Sequence, residues 1–463
     1  MSTDLDPGLP AVTADALPAG LTRSLRGRVL DPGTSEYEDV CTIYNAMISK
    51  SPGVIIECLG PGDVAEVLRW ADTQNVPFAI RAGGHNVAGN ALNDGGLVLD
   101  VSKMKGVHVD PHAHTVRVQP GVNWGEFDRE TQAFGLTTTG GNISSTGVAG
   151  LTLGGGIGWL MRKYGFTCDS LIGADVITPG GHLVRADEDH NPELLWGLRG
   201  GAGNFGVVTA FDFALHPHTT PVGVGVATYP LEALGDVIAH YRQQTRDAED
   251  DLIIAVNLLT IPETGPCVTV FAAWFGDPET GRKAIASVVD FGAPLDVTQK
   301  EMSYRDFHCM FDGTFKSGQR NYWKSGFFNE LSDELIAEFG AHFASVPSSR
   351  TVLAIEQMGG AISRIPESSA AFPNRGAAFS FLGTSMWRDP NDDHKNVAWT
   401  RDLWSKIENY TAGVYSNFLS TGETSETVAR SYGASYRRLV ALKNEYDPKN
   451  LLRYNQNIAP DHG

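Results

Sequence analysis

The chain has 463 residues, 42% of them hydrophobic and 19% charged, with a formal net charge of -18. That length exceeds what one core usually fills, so two domains are expected, each able to bury an apolar interior. The composition excludes a disordered chain, and the acidic balance without a basic stripe excludes nucleic acid as a partner.

Residues 1–20, rich in Pro, Ala and Asp, are expected to form a loosely held arm. A helix is predicted from Asp63, as N-cap, to Ala71, because Val64, Val67, Leu68 and Ala71 recur at the helical period. It leads into a short strand, Val76 to Ile80, that ends in the turn Arg81-Ala82-Gly83-Gly84-His85-Asn86. Strands are predicted over 97–101 and 115–119, then a helix from Asn123 to Phe134, which Gly135 ends. Residues 147–158 are dense in glycine and nearly uncharged, and strand-like runs follow at 174–178 and 206–213. Beyond residue 218 the elements lengthen, with strands over 267–275 and 377–387 and helices over 395–410 and 432–443. Alternating strands and helices followed by longer strands give an α+β class with an antiparallel second domain. The boundaries fall at 1–217, 218–420 and 421–463, the last returning to the first domain.

No apolar run is long enough to span a bilayer, and the N-terminus lacks a basic start followed by an apolar stretch. A cytoplasmic location without membrane contact is the expectation, as a monomer or homodimer. Cys41, Cys58, Cys168, Cys267 and Cys309 are scattered without CxxC spacing, so they read as reduced or buried thiols and no metal site is expected.

The segment 81–86 carries the most chemical information. Small residues directly after a strand expose N–H groups able to form a concave nest for a pyrophosphate, although an ordinary Gly-Gly turn with a surface histidine fits the same residues. Gly154-Gly155-Gly156-Ile157-Gly158 lacks the preceding strand, the spacing and the downstream acid of a dinucleotide fingerprint.

Six blocks taken in order resemble the berberine bridge enzyme-like branch of the vanillyl-alcohol oxidase superfamily: RAGGHN (81–86), GGLVLDVSKM (95–104), VQPGVNWGEF (118–127), GVAGLTLGGGIGWLMRKYG (147–165), LLWGLRGGAGNFGVVT (194–209) and YDPKNLLRYNQNI (446–458). The resemblance implies a two-part FAD-binding domain of that type, with the antiparallel domain covering the isoalloxazine. It implies that Arg81, Ala82, Gly83, Gly84, His85 and Asn86 wrap the pyrophosphate and that His85 bonds the flavin covalently. Gly147, Gly150, Gly154, Gly155 and Gly156 would allow close backbone approach, Val207 and Val208 would lie along the adenine or ribityl portion, and Asn455 and Asn457 would approach the ring or its chain.

The departures from the pattern are equally informative. Doubly linked members carry a cysteine where Ile143 stands here, so a single link is expected, as in 6-hydroxynicotine oxidase-like members. Cys168 belongs to the following block. Thr146 stands where many relatives have an aliphatic residue that controls oxygen access, and its hydroxyl is a candidate for that chemistry or a cap of its own turn. In the second domain Tyr322, Lys324 and Glu356 are candidates for taking a proton from a substrate hydroxyl or amine as hydride leaves, with a salt bridge or core packing as the plain alternative. Trp159 is read either as an aromatic wall of the pocket or as packing beneath the glycine segment. The run 377–385 lacks the base that relatives often place there, which favours an aromatic, alkaloid-like or polyketide-like substrate over an oligosaccharide. The expected activity is an oxidase passing electrons from a small organic molecule to O2. A flavin dehydrogenase, an oxygenating flavoenzyme and a flavin-binding protein of low turnover remain open at this point.

Overall fold

Residues 12–461 are described, in a computed structural model. Val54–Glu57 is buried throughout and pairs in parallel with Leu97–Asp100, which pairs in parallel with Phe78–Arg81, while Val29–Leu30 adds an antiparallel edge. Strands covered on both faces read as unbroken apolar runs, and Val54–Glu57 is one that alternation does not reveal. The helix Pro61–Gln74 starts after Gly60 with proline in its first turn. Asp63 is therefore not its N-cap: it sits in that first turn, where its carboxylate accepts from the N–H groups of Arg26 and Leu59, each at 2.8 Å. The expectation of a loose arm over 1–20 also needs correction from residue 12 onward. Val12 N–H donates to Gly95 C=O at 2.9 Å, and Val12, Leu17 and Leu21 are buried against the first sheet; residues 1–11 lie outside the described residues.

A second, five-stranded antiparallel sheet runs in the order Val107–Asp110, Thr115–Val118, Val207–Ala214, Leu171–Ile177, Leu183–Asp187. Helix Trp124–Gln132 packs beside it and opens with a capping box, in which the Asn123 side chain accepts from Glu126 N–H and Glu126 accepts from Asn123 N–H.

The third sheet has seven antiparallel strands in the order Asp296–Met302, Val222–Pro230, Gly265–Trp274, Leu252–Ile261, Val352–Gln357, Phe379–Trp387, Arg320–Phe328. One face is covered by the helices Leu234–Arg246, Pro278–Val289, Asp333–Phe343 and Asp393–Ile407, whose apolar stripes meet Ile254, Val256, Val270 and Ile355 in one core. The other face carries Ala255, Asn257, Thr269, Phe271, Ala354 and Glu356, and these line a cavity instead.

The C-terminal residues return to the first two sheets. The helix expected over 432–443 is two helices, Ser425–Tyr432 and Tyr436–Tyr446, because Gly433 takes φ +51° between them. Leu439, Leu442 and Ile458 join the core of the five-stranded sheet, and Leu451 and Leu452 join that of the parallel strands. A buried ion pair fixes this segment: Lys443 Nζ donates to Asp447 at 2.7 Å and to the carbonyls of Leu452 and Asn204, while Asp447 accepts from Leu451 and Leu452 N–H. Asp447→Ala would leave a buried ammonium without its partner, at a cost of about 3–5 kcal/mol. A clear fall in the urea midpoint is the expected result; an unchanged midpoint would mean that Lys443 finds water.

Candidate functional site

A cavity of about 470 Å³ lies between the uncovered face of the seven-stranded sheet and the glycine-rich turns of the first half of the chain. The turn after Phe78–Arg81 forms part of its rim. The backbone N–H groups of Gly83, Gly84, His85 and Asn86 donate to no other described residue. Gly84 takes φ +63°, and Gly83 meets Gly147 so closely that a Cβ on Gly83 would lie 2.8 Å from Gly147 Cα. Only glycine in both places lets these two turns touch.

His85 stacks on Tyr44 with ring centroids 3.9 Å apart, and its Nε2 is buried without a protein partner. Burial pushes its imidazole down to about 4, so the ring is neutral at physiological pH. Arg81 is turned away from the cavity and pairs with buried Asp100 at 3.2 Å, bracing the strand from which the turn springs. Ala82, Gly83, Gly84, His85, Asn86, Thr146, Gly147, Gly150, Val207, Val208 and Asn455 all line the cavity. The amide oxygen of Asn455 is buried and unpartnered, while its NH2 group donates to Gly203 and Leu452 carbonyls. Asn457 does not reach the cavity, and its side-chain oxygen is also buried without a partner.

Gly154, Gly155 and Gly156 also do not reach the cavity. A Cβ on each would strike Asn417, Phe372 or Thr167, at 2.1 to 2.2 Å, so these glycines serve packing between segments rather than approach to a ligand. Gly150 differs, because a Cβ there would meet nothing within 4 Å.

On the opposite wall the pleat separates the three polar candidates of the second domain. Trp323 lines the cavity, so its neighbours Tyr322 and Lys324 point to the other side of their strand. There Tyr322 Oη accepts from Arg401 at 3.0 Å, and Lys324 pairs with Glu423 at 2.5 Å. Glu356 does line the cavity, its Oε1 accepting from Asn142 Nδ2 at 2.5 Å and its Oε2 from Ser380 at 3.4 Å. Burial pushes this carboxyl up to about 7, against the two hydrogen bonds that favour the anion. Among the described lining residues it is the sole carboxylate, and no lysine or arginine accompanies it. Trp159, Phe271 and Phe311 form an aromatic corner with centroids 5.2 to 5.6 Å apart, and Trp159 Nε1 donates to the Asn142 carbonyl at 3.0 Å. Trp159 is thus a wall of the pocket.

Comparison with known proteins matches this architecture. The FAD binding domain family matches residues 52–187, and the family described as "Berberine and berberine like" matches residues 414–459. An FAD-linked oxidoreductase of Dictyostelium discoideum is 30% identical over 447 residues, covering 94% of this chain and 95% of that protein. The chain belongs to the berberine bridge enzyme-like family of FAD-linked oxidoreductases. (R)-6-hydroxynicotine oxidase of Paenarthrobacter nicotinovorans is 29% identical over 450 residues, covering 95% of this chain and 98% of that one. The crystal structure of 6-hydroxy-D-nicotine oxidase from Arthrobacter nicotinovorans superposes with a TM-score of 0.86 at 28% identity, covering 96% of this oxidoreductase and all of that chain, 100%. BBE-like 1 of Physcomitrella patens shares the fold, with a TM-score of 0.87 at 22% identity over 96% of this chain and 99% of the other.

Several cavity residues of this FAD-linked oxidoreductase carry no sequence signal of their own. Tyr44 and Asn142 sit in loops, and Gln456, which also lines the cavity, lies between Asn455 and Asn457. The raised Glu356 carboxyl has a measurable consequence for stability. Its ordinary value of 4.5 moves to about 7 on folding, so between those values the folded protein binds the extra proton. Stability therefore falls as pH rises through that window and stays lower above it. Glu356→Gln, which cannot ionise, is expected to be more stable than wild type above pH 7 by about 3 kcal/mol, with the gap closing towards pH 4. Urea midpoints at pH 4.5, 6 and 8 read this directly, and parallel pH curves would show that Glu356 keeps an ordinary pKa.

Proposed function

We propose that this oxidoreductase holds FAD covalently through His85 and oxidises a small aromatic substrate against the seven-stranded sheet, with O2 as the final electron acceptor and Glu356 as the base. In this reading residues up to 217 and from 421 onward hold the cofactor, and 218–420 cover it. One observation carries the proposal: His85, the free amides of 83–86 and Glu356 come from opposite walls to a single cavity.

The residues present fit the cofactor. Four unpaired N–H groups in one turn suit a pyrophosphate, and the unpartnered oxygen of Asn455 and the NH2 group of Gln456 suit the polar edge of a ring or ribityl chain. Gly147, Gly150, Val207 and Val208 give close, apolar contact. When bound, FAD supplies the acceptor for a hydride and delivers the electrons to O2. Neutral His85 keeps a lone pair free for bonding to carbon, which an imidazolium would not.

Glu356 takes the proton from the substrate hydroxyl or amine while the adjacent C–H bond gives up its hydride, leaving a carbonyl or imine. A carboxyl near 7 is half ionised at neutral pH and strong enough to accept that proton. Asn142 and Ser380 fix its orientation, and the surrounding aromatic residues exclude water. An apolar cavity with one carboxyl and no cation suits a neutral or amine-bearing aromatic compound better than a sugar or an anion. The free hydroxyl of Thr146, which bonds to no other described residue, faces the same space and is assigned to the reaction with oxygen.

Acid precipitation is expected to leave the yellow colour in the pellet of the native protein and in the supernatant of His85→Ala, and Cys168→Ser should behave as native. Colour extractable from the native protein would remove the covalent link. Glu356→Gln is expected to slow anaerobic flavin reduction by about 10²–10⁴-fold and to abolish its rise with pH around 7; a retained pH profile would transfer the base to another group. Thr146→Val should change reoxidation by O2 and spare reduction, as read by stopped-flow absorbance.

A further inference from the structure

The cavity-facing side of the seven-stranded sheet holds polar groups in two successive rows. The first row places Phe271, Ala255, Glu356 and Ser380 side by side on neighbouring strands, and the second places Thr269, Asn257, Ala354 and Leu382. Glu356 and Ser380 hydrogen-bond each other, and Thr384, further along, donates to Val352 C=O at 3.0 Å. Asn257 and Thr269 are the exception. Both line the cavity, stand directly opposite each other across the ladder, and hydrogen-bond to no other described residue through their side chains.

The side-chain polar atoms of Asn257 and Thr269 open onto the cavity among Phe271, Leu259 and Leu382 and are free to bond a ligand there. Their strand neighbours Val256, Leu258, Val268 and Val270 turn to the core, so the strands need no polarity at these places to fold. Asparagine is also a poor strand former. We propose that Asn257 and Thr269 form a second polar station of the substrate cavity, which binds a neutral hydrogen-bonding substituent of an aromatic substrate whose reacting group faces Glu356. The inference rests on the reading of Glu356 as the base.

The register sets the spacing between the two stations. Ala255 is the residue opposite Glu356, and Asn257 lies two positions on, a diagonal neighbour at about 7–8 Å. Thr269 and Asn257 face each other with Cβ atoms about 4.5–5.5 Å apart, so one substituent can bond to both. Amide and hydroxyl each donate and accept, which suits a hydroxyl, carbonyl or ring nitrogen. Without a lysine or arginine on the lining, the station has nothing to neutralise a carboxylate or phosphate. The substrate class is thus a flat aromatic molecule with an oxidisable alcohol or amine at one end and a neutral polar substituent at the other.

The test compares two probes on the FAD-loaded protein, 2-naphthylmethanol and 6-hydroxy-2-naphthylmethanol, with Kd read from perturbation of the flavin spectrum under anaerobic conditions. Wild type is expected to bind the hydroxylated probe about ten-fold more tightly, the worth of one good hydrogen bond. In Asn257→Leu and in Thr269→Val that advantage should shrink to about two-fold or less, with the parent probe unaffected, and Thr269→Ser should restore it. Equal affinity of the two probes in wild type, failure of both to bind, or an advantage that survives both variants would overturn the station. Glu356→Gln, measured in the same way, separates the two readings. If it keeps both the hydroxyl preference and the wild-type pH profile of reduction, Glu356 is not the base while the station stands.

Discussion

The alternation of side chains across a β-strand is the constraint on which this site depends. Apart from the exposed edge strand Asp296–Met302, the strands of the seven-stranded sheet send alternate residues into the helix-covered core and into the cavity. Leu353 and Ile355 are therefore buried among helices, while Ala354 and Glu356 face the site. A slip of one residue in register would bury the carboxylate in the apolar core and empty the cavity wall of its single acid. The helices that cover one face are thus as necessary to the chemistry as the residues exposed on the other. They hold the register by making the alternative prohibitively costly.

Separate segments of the chain must then be pinned to that wall, and buried charges perform much of this. Arg162 follows the glycine-rich segment and donates to the carbonyls of Leu252, Met358, Ala248 and Glu249, joining the first half of the chain to the loops at the ends of the third sheet. Arg375 reaches back to Asp169 in a pair that is almost wholly buried. Lys443 and Asp447 do the same for the C-terminal segment that brings Asn455 and Gln456 to the cavity. Such pairs contribute little net stability against apolar replacements, but they are highly specific about geometry, since a displaced partner leaves a charge unsatisfied in the interior. The cavity wall can therefore be assembled from distant parts of the sequence without loosening.

Local chemistry determines which parts of this were legible in the sequence. The turn at 81–86 stands out because small residues directly after a strand expose backbone N–H groups, and although an ordinary Gly-Gly turn fits the same residues, the turn lies on the cavity rim. The cluster Gly154–Gly156 looks alike in composition, yet its glycines yield to Asn417, Phe372 and Thr167. Composition cannot tell a glycine that admits a ligand from one that admits a neighbouring side chain. Tyr322, Lys324 and Glu356 look equally reactive in one dimension, and only the pleat, set by which face the helices cover, turns the first two towards Arg401 and Glu423. The runs 222–230 and 252–261 have turn residues beside them, Pro221 and Pro262-Glu263-Thr264-Gly265, but much of each is buried on both faces, so a two-residue alternation does not mark them as strands. Asn142 and Tyr44 lie in loops, where nothing periodic announces a role. They matter because folding brings them to Glu356 and His85.

Desolvation links the two titratable groups of the cavity with opposite signs. It raises the carboxyl of Glu356 to about 7 and lowers the imidazole of His85 to about 4, since in each case burial disfavours the charged form. Near neutral pH the lining therefore carries at most one charge, a partial negative one. A pyrophosphate entering such a space finds no lysine or arginine to pair with, and the overall charge of -18 makes its approach no easier. What remains to compensate it is the set of free N–H dipoles at Gly83 to Asn86. Backbone amides cannot be titrated away and need no counter-ion, so they leave Glu356 without a cation that would return its carboxyl to the ordinary range. In the proposed reading, a cofactor held by dipoles instead of by lysine or arginine is what permits the base on the opposite wall to keep a pKa near neutrality.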